Sequence, residues 1–178
     1  QLEDFEERYE SHPAVGHGAF RTSCHLFLPF LDNLIRHPAI LGPVASILGE
    51  DLLVWGTSFF TKDPQSADYV AWHQDLHYWG LDARDEVTAW VASSQAPVEI
   101  GCVRFVPASH IKEVPHADRP AKGAMLSRGQ ELIEAVDDSQ AVNALVLPGQ
   151  MSLHHGLTFH ASMPNRSDDR RIGFAIRY

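Results

Sequence analysis

The sequence predicts an α+β fold that is mostly β, in which N-terminal helices pack outside a β-sandwich. Between Leu26 and Leu48 the apolar residues recur at helical spacing, with Pro38 opening the second segment and Gly49 closing it. After Gly49 the apolar residues form short β-rich runs bounded by turn residues, which is typical of a sandwich or barrel. These runs lie at 52–60, 69–72, 87–91, 102–106, 144–147, 151–153 and 172–176.

The length predicts a single domain. A chain of 178 residues can bury roughly 70% of the surface that its unfolded form exposes. We expect one domain over 1–178, with helices at about 26–48 and a β-rich core at about 51–178. The stretch 110–140 has no strong strand pattern and one weak helical pattern, from Gln130 to Val136. Because connections this long are often functional, we predict a lid over a site.

The charge balance excludes some classes of partner. Lys and Arg total 14 against 23 Asp and Glu, and the net charge of -9 argues against a nucleic-acid or anionic-membrane surface. No apolar run approaches the roughly 20 residues that a membrane helix needs, and no signal peptide is recognisable. Two cysteines, Cys24 and Cys102, form no disulfide framework, so a cytoplasmic protein is expected. We also expect native residues beyond both ends, while the oligomeric state is left open.

His73 and Asp75 are the first candidate metal ligands. They lie two residues apart at the end of a strand-like run, so both side chains point to one side with Cα atoms about 6.6 Å apart. Two histidines and one carboxylate can hold one face of Fe(II) and leave the other open for a co-substrate and dioxygen. A second His-x-Asp pattern, His116-Ala-Asp118, lies in a polar run between prolines, and we interpret it as a surface turn.

The third ligand is expected downstream, at His160. His154 and His155 are rivals on the sequence alone, but Ser162 shares the face of His160 and Arg171 follows after a turn-rich connection, 164–169. We therefore expect 160–162 and 171–177 to be adjacent strands of one hairpin.

Arg171 begins a strand with two different faces. Period 2 places Arg171, Gly173 and Ala175 on a small face that can line a pocket, and an apolar face packs against the helices. A guanidinium beside a serine hydroxyl suits a ligand carboxylate. A dicarboxylate with one end on iron and the other on Arg171 would satisfy both sites. The alternative is that Arg171 is an exposed strand cation, as Arg170 and Arg177 are in that interpretation.

With these residues assembled, the chain resembles the phytanoyl-CoA dioxygenase family of iron(II)- and 2-oxoglutarate-dependent oxygenases. The resemblance covers most of the chain, because several motifs occur in order at compatible spacing. They are His-Gln-Asp-Leu-His-Tyr at 73–78, Thr-Ala-Trp at 88–90, Gly-Cys-Val-Arg-Phe-Val-Pro-Ala-Ser-His at 101–110, Pro-Gly at 148–149 and the tail 160–178.

This resemblance implies a double-stranded β-helix, the jelly roll of cupin-like proteins. It also implies His73, Asp75 and His160 as Fe(II) ligands and Arg171 as the partner of the distal 2-oxoglutarate carboxylate. Further positions match neighbours of the co-substrate or adjoin the ligand segment. We expect co-substrate contacts from Gln74, Trp90 and Ser162, and substrate contacts or ligand steering from His77 and Tyr78.

The activity implied is hydroxylation of an unactivated C–H bond in a small organic substrate, with O2 consumed and succinate and CO2 released. Halogenating relatives replace the ligand carboxylate by a small residue, so Asp75 favours hydroxylation over halogenation. One alternative is a metal-binding cupin-like protein that does not use 2-oxoglutarate, which would leave the position of Arg171 unexplained. Another is a binding module that has lost catalysis, against which the intact triad argues. The substrate itself does not follow from the sequence.

Overall fold

Two four-stranded antiparallel sheets form the centre of the fold. We describe it from a computed structural model that defines residues 22–178 together with Asp4 and Glu7. The strands of the described chain are β1 Gly56–Lys62, β2 Val70–His73, β3 Val87–Ala92, β4 Val103–Phe105, β5 His116–Asp118, β6 Gln130–Leu132, β7 Val142–Ala144, β8 Met151–His155, β9 His160–Ser162 and β10 Arg171–Arg177. One sheet has the order β1-β10-β3-β8 and is called the β10 sheet, and the other has the order β2-β9-β4-β7 and is called the β9 sheet. This is the predicted jelly roll.

The helices α1 (Pro29–Ile35) and α2 (Pro38–Leu48) confirm the predicted helical region. Each begins with proline at its first position, where the missing N–H is not needed. Both pack outside the β10 sheet through one apolar cluster, as the two-faced pattern of β10 predicts. Its buried members are Cys24, Leu31, Ile35, Ile40, Val44, Ala89, Val91, Phe174, Ile176 and Tyr178.

A second cluster lies on the opposite face of β3 and β10, toward the β9 sheet. It contains the buried residues Trp90, Ala92, Ala96, Cys102, Val103 and Ala175. The interior between the sheets is thus filled near Trp90, and polar side chains gather beside it. No helix in the described part of the chain is long and apolar enough to cross a bilayer.

The predicted hairpin of 160–162 and 171–177 is wrong. β9 pairs with β2 and β4, whereas β10 pairs with β1 and β3, so the two strands belong to different sheets. The turn-rich connection crosses from one sheet to the other. Asn165 organises this crossing, because its side-chain amide donates to the carbonyls of Asp63 and Asp169 at 2.9 and 2.7 Å.

The stretch 110–140 contains a two-stranded sheet. β5 pairs with β6, with His116 opposite Leu132, so the expected surface turn at 116–118 and the expected helix from Gln130 are both wrong. The half-buried His116 ring anchors β5, because its Nε2 accepts the backbone N–H of Gln74 at 2.9 Å. Short strands without apolar alternation escape a pattern search, since their pairing partner rather than their own sequence defines them.

Candidate active site

The structure brings His73, Asp75 and His160 together. His73 ends β2 and His160 begins β9, and the two residues pair directly across the β9 sheet. Their ring centroids lie 4.0 Å apart. One ligand atom from each of the three residues lies within 4.8 Å of the others, and all three residues are buried. The group can therefore share one metal ion.

The two imidazoles present the same nitrogen to this point. The Nδ1 atoms of His73 and His160 lie 2.9 Å from the carbonyls of Ala71 and Thr158, respectively, so each Nδ1 carries the proton and donates. In a neutral ring with this tautomer, Nε2 carries the lone pair, as in a metal-ligating histidine that a backbone carbonyl orients. His73 Nε2 lies only 3.1 Å from Asp75 Oδ1. Two acceptors this close need a proton or a cation between them, which fits a divalent metal.

Asp75 supplies the negative charge of the group. It precedes the short helix α3 (Leu76–Trp79), and its Oδ1 faces the Nε2 atoms of His73 and His160 at 3.1 and 3.9 Å. Burial alone would raise the pKa of Asp75, but its close contact with His73, the nearby His160 and the Arg177 guanidinium hold it below its usual range. Burial lowers the pKa of His160 well below its usual value. An ionised Asp75 carboxylate and a neutral His160 imidazole result, the protonation states that a metal requires.

A pocket between the sheets contains this group. The β10 sheet forms one wall and the β9 sheet with Asp75 forms the other. The lining residues are Phe60, Val70, His73, Asp75, Thr88, Trp90, Val103, His154, His160, Ala161, Ser162, Arg171, Ala175 and Arg177. Trp90 and Ser162, which were expected near the co-substrate, line this pocket.

Two buried cations lie side by side at one end of the pocket wall. Lys62 and Arg171 are directly paired between β1 and β10, and they are 0% and 1% exposed. Arg171 Nη1 donates to the carbonyl of Gly101, and its guanidinium carbon lies 5.5 Å from the centre of the Trp90 ring. Lys62 Nζ donates to Ser162 Oγ at 2.8 Å and to the carbonyl of Met163. Hydrogen bonds thus connect the crossing after β9 to the cation pair.

Arg171 carries a positive charge without a carboxylate beside it among the described residues, and Lys62 adds to that charge when it is protonated. Burial, and then the neighbouring Arg171, lower the pKa of Lys62 to about 6, and burial lowers the pKa of Arg171 to about 10. In the described part of the chain neither forms an ion pair with a carboxylate. Burying cations in this way is unfavourable unless an anion joins them. Lys62 was not predicted as a site residue from the sequence, although it lies two residues after Phe60 on the same face of β1.

A polar row crosses the β10 sheet beside His73, Asp75 and His160, which together are called the metal-binding group. Arg177, Thr88 and His154 are direct neighbours on β10, β3 and β8, and all three line the pocket. His154 lies with its ring centroid 4.7 Å from that of His160, but it is not among the atoms gathered within 4.8 Å. Of the three downstream histidines, His160 therefore completes the group. His155 lies outside the pocket lining, and its Nδ1 accepts from the backbone N–H of Leu157 at 3.0 Å.

Gln74 has a structural position, contrary to the expected co-substrate contact. Its side chain is 0% exposed, and its amide nitrogen donates to the carbonyls of Lys112 and Leu157 at 2.8 and 2.7 Å. Its Oε1 accepts the backbone N–H of Val114 at 3.0 Å. With its amide group engaged by the backbone, Gln74 fixes the start of the 110–140 stretch to the ligand segment and does not line the pocket.

His77 and Tyr78 lie on α3, outside the pocket lining. The His77 Nδ1 is 3.0 Å from Glu113 Oε1, and its ring stacks on that of His116 at 4.2 Å. The Arg128 guanidinium lies 4.7 Å from the centre of the Tyr78 ring. Both residues therefore pack α3 against the 110–140 stretch, and a substrate contact for them stays a prediction. No residue of 110–140 lines the pocket, so the lid also stays a prediction.

Several known proteins are similar to this chain in sequence and fold. The sequence profile of the phytanoyl-CoA dioxygenase (PhyH) family matches residues 3–173. The chain belongs to this family. The predicted family and the predicted jelly roll are thereby confirmed.

Several relatives of this chain are named as non-haem or α-ketoglutarate-dependent enzymes. The solved non-haem monooxygenase ThoJ, in its apo form, is 36% identical with a TM-score of 0.84, over 99% of this chain and 66% of that one. The α-ketoglutarate-dependent carbocyclase SnoK from nogalamycin biosynthesis is 27% identical with a TM-score of 0.71, over 88% of this chain and 61% of that one. A probable α-ketoglutarate-dependent hypophosphite dioxygenase of Stutzerimonas stutzeri is 28% identical over 86% of this chain and 54% of its own length. This chain thus spans about half the length of that curated relative.

Proposed function

We propose that this chain forms the catalytic core of an Fe(II)- and 2-oxoglutarate-dependent oxygenase that hydroxylates a C–H bond of a small organic substrate. One observation supports this most strongly. A single pocket contains a His-Asp-His group with the chemistry of a metal site together with Arg171, a buried cation that pairs with Lys62 and has no carboxylate partner among the described residues. A dicarboxylate that also chelates a metal would satisfy both, and 2-oxoglutarate is such a molecule.

The donor set fits Fe(II) in an open facial site. In this proposal His73, Asp75 and His160 hold the ion through Nε2, Oδ1 and Nε2, because the Nδ1 atoms already donate to backbone carbonyls. When bound, iron supplies the activation of dioxygen, coupled to oxidative decarboxylation of 2-oxoglutarate. The protein keeps the His160 imidazole neutral and the Asp75 carboxylate ionised, and its buried pocket limits access of water.

The cation pair has the complementary role of binding the distal carboxylate. Arg171 offers the fork geometry, Lys62 adds a point charge, and the Trp90 ring covers the guanidinium face. Ser162 is already held by Lys62. Its hydroxyl can donate onward to the same carboxylate, because it accepts from the lysine. These roles explain why each of these polar side chains is buried.

The presence of Asp75 favours hydroxylation over halogenation. Its Oδ1 occupies the third position of the group, so no small residue leaves a coordination place for a halide. One relative is named as an α-ketoglutarate-dependent carbocyclase, so the co-substrate alone does not determine the reaction outcome. The class of co-substrate is therefore better supported than the position that is oxidised.

The test is oxygen-dependent formation of succinate. Protein purified without metal is supplied with Fe(II), 2-oxoglutarate and oxygen, and we expect at least slow uncoupled release of succinate. A panel of small organic compounds is then scored by stimulated succinate production and by a product heavier by one oxygen atom. Metal-replete protein that neither binds 2-oxoglutarate nor forms succinate would contradict the proposal. Succinate formation in the absence of any metal would contradict it as well.

A further inference from the structure

The pocket contains two buried polar groups that the proposed use of iron and 2-oxoglutarate leaves unassigned. They are the guanidinium of Arg177 and the ring of His154, 7% and 8% exposed. Both belong to the polar row that crosses β10, β3 and β8. Arg177 lies six residues after Arg171 on the same face of β10, about 20 Å further along the strand. It is therefore separate from the cation pair that faces the distal carboxylate.

Neighbouring side chains hold the Arg177 guanidinium in place. Its Nη1 donates to Ser58 Oγ at 2.9 Å, and its carbon lies 5.3 Å and 5.9 Å from the ring centres of Trp79 and Phe60. Its Nε has no hydrogen-bond acceptor among the described residues. Aromatic faces stabilise a guanidinium from the sides and leave its edge available for a planar anion.

The His154 ring is a second buried group whose hydrogen-bonding atoms lack partners among the described residues. Both ring nitrogens are buried and lack a hydrogen-bond partner in the part of the chain that the structure describes. Burying a polar group without a partner is costly, so native structures rarely leave both sides of a ring unsatisfied. The ring packs against His160 and Phe105, with centroids 4.7 and 4.9 Å away. A ligand in the pocket is the natural partner of these nitrogens.

The charges beside Arg177 explain why that ligand should be an anion. Its Nε lies 3.9 Å from Asp75 Oδ2, the oxygen that points away from the histidines. Once a divalent cation is bound, the charge of Asp75 is shared with the metal and no longer balances Arg177. The other close carboxyl group, Glu86, is 2% exposed and accepts from Thr88 Oγ1 at 2.8 Å. Burial raises its pKa to about 8, so it is largely neutral at pH 7.

We propose that Arg177 and His154 form a substrate subsite for a carboxylate, next to the metal site on the wall opposite its histidine ligands. This rests on the proposed function in one respect, since it assumes that a substrate enters the pocket beside the metal. The two carboxylates of 2-oxoglutarate already have partners in the metal and the cation pair. The subsite therefore selects carboxylic acids among small organic substrates.

The test measures binding without turnover. Protein loaded with Mn(II) and 2-oxoglutarate under anaerobic conditions is titrated by calorimetry with matched pairs of compounds. Each pair is a carboxylate and its primary amide, drawn from short fatty acids, N-acetyl amino acids and arylacetates. We expect the tightest ligands to be carboxylates, preferred over their amides by about tenfold or more, the effect of one charge-assisted hydrogen bond.

Two variants separate the subsite from the rest of the pocket. Arg177→Gln should remove the preference for carboxylates, and His154→Phe, which keeps the ring volume, should reduce it. Arg36→Gln, an exposed cation on the helical side, is the matched control and should keep it. Thermal unfolding of each variant checks the fold, and His154→Phe keeps the test valid if Arg177→Gln does not fold.

Three results would overturn the inference. In the first, wild-type protein binds the amides as tightly as the acids, or binds no acid of the panel at millimolar concentration. In the second, the preference survives both substitutions. In the third, Arg177→Gln weakens 2-oxoglutarate binding as much as Arg171→Gln does, which would assign Arg177 to the co-substrate. Absent succinate with an intact carboxylate preference would instead count against the proposed function alone.

Discussion

The two sheets contribute different chemistry to one pocket. The β9 sheet carries the imidazoles of His73 and His160, which are oriented by backbone carbonyls. The β10 sheet carries three buried cations, one beside the metal-binding group and two together at the far end of the strand pair. In the proposed function, metal binding therefore depends mainly on one wall and recognition of carboxylates mainly on the other. Substitutions in one wall should leave the property of the other largely intact, and the following predictions test this separation.

The largest effect is expected from His160→Ala in the β9 sheet. Removing a direct ligand should weaken Mn(II) or Fe(II) binding by more than about 100-fold, beyond the range seen for residues that only orient a ligand. Succinate formation should fall to background, and isothermal titration with Mn(II) measures the affinity. His155→Ala is the matched control, because His155 lies outside the pocket lining. Equal losses in the two variants would contradict the assigned ligand set.

The second effect concerns Arg171→Gln in the β10 sheet. Loss of a buried cation that pairs with a carboxylate costs about 2 to 5 kcal/mol, so 2-oxoglutarate should bind about 100-fold more weakly. Mn(II) binding should change by less than about threefold, since Arg171 is not among the gathered ligand atoms. Arg170→Gln, at the neighbouring position, serves as the control. If metal binding and co-substrate binding decline together in Arg171→Gln, the two walls are not independent.

A smaller effect is expected at the point where the backbone of β10 lies against the Trp90 ring. A Cβ atom at Gly173 would lie 1.9 Å from Trp90 Cζ2, so Gly173→Ala must displace the indole that covers Arg171. Such overpacking costs about 1 to 3 kcal/mol of the free energy of unfolding. Gly56→Ala on the neighbouring strand has nothing within 4 Å of the added atom and should be nearly neutral. The free energies of unfolding of both variants are measured by denaturant titration. Similar values for the two would exclude the close approach of Gly173 to Trp90.

The smallest effect is a pH dependence from Lys62. Burial and Arg171 lower the pKa of Lys62 to about 6, so the free protein holds a neutral amine at pH 7.5 or so. A bound carboxylate favours the charged form, and binding should therefore take up a proton. Affinity for 2-oxoglutarate should fall by up to about tenfold per pH unit above pH 6, and it should level off below that value.

Calorimetry in buffers of different ionisation enthalpy measures this proton uptake. We expect nearly one proton per 2-oxoglutarate in the wild type and none from this source in Lys62→Met. The exposed Lys122→Met should behave as the wild type does. Wild-type binding without proton uptake would show that Lys62 is already charged in the free pocket.

The sequence predicted the contents of the β9 wall better than those of the β10 wall. His73 and Asp75 lie in one short motif, so period 2 was sufficient to place them together, whereas His160 was preferred over His154 and His155 because of its neighbours Ser162 and Arg171. Lys62 becomes relevant only through its pairing with Arg171 across β1 and β10, and local patterns do not encode the order of strands in a sheet. The hairpin prediction failed for the same reason, because a turn-rich connection does not show whether the chain stays in its sheet.

For Arg177 and His154, the sequence contained a pattern that could have indicated their place in the pocket, but the pattern was interpreted differently. Arg177 continues the alternation of Arg171, Gly173 and Ala175, so period 2 alone would have placed it in the pocket. His154 was weighed only as a rival metal ligand. At Gln74 the sequence suggested a site role that the structure does not support. Its position beside His73 and Asp75 favoured a co-substrate contact, but its side chain forms three hydrogen bonds with the backbone instead.

The short helix α3 connects the metal-binding group to an optical reporter. Asp75 immediately precedes α3, and Trp79 ends it, so only three residues separate the Asp75 carboxylate from an indole. That indole stacks on Trp55 with ring centroids 4.5 Å apart, and the Arg177 guanidinium lies 5.3 Å from its centre. Changes in coordination at Asp75 should therefore alter the near-ultraviolet circular dichroism and the fluorescence of this tryptophan pair. The protein would then allow metal loading and substrate entry to be followed in real time without an added dye.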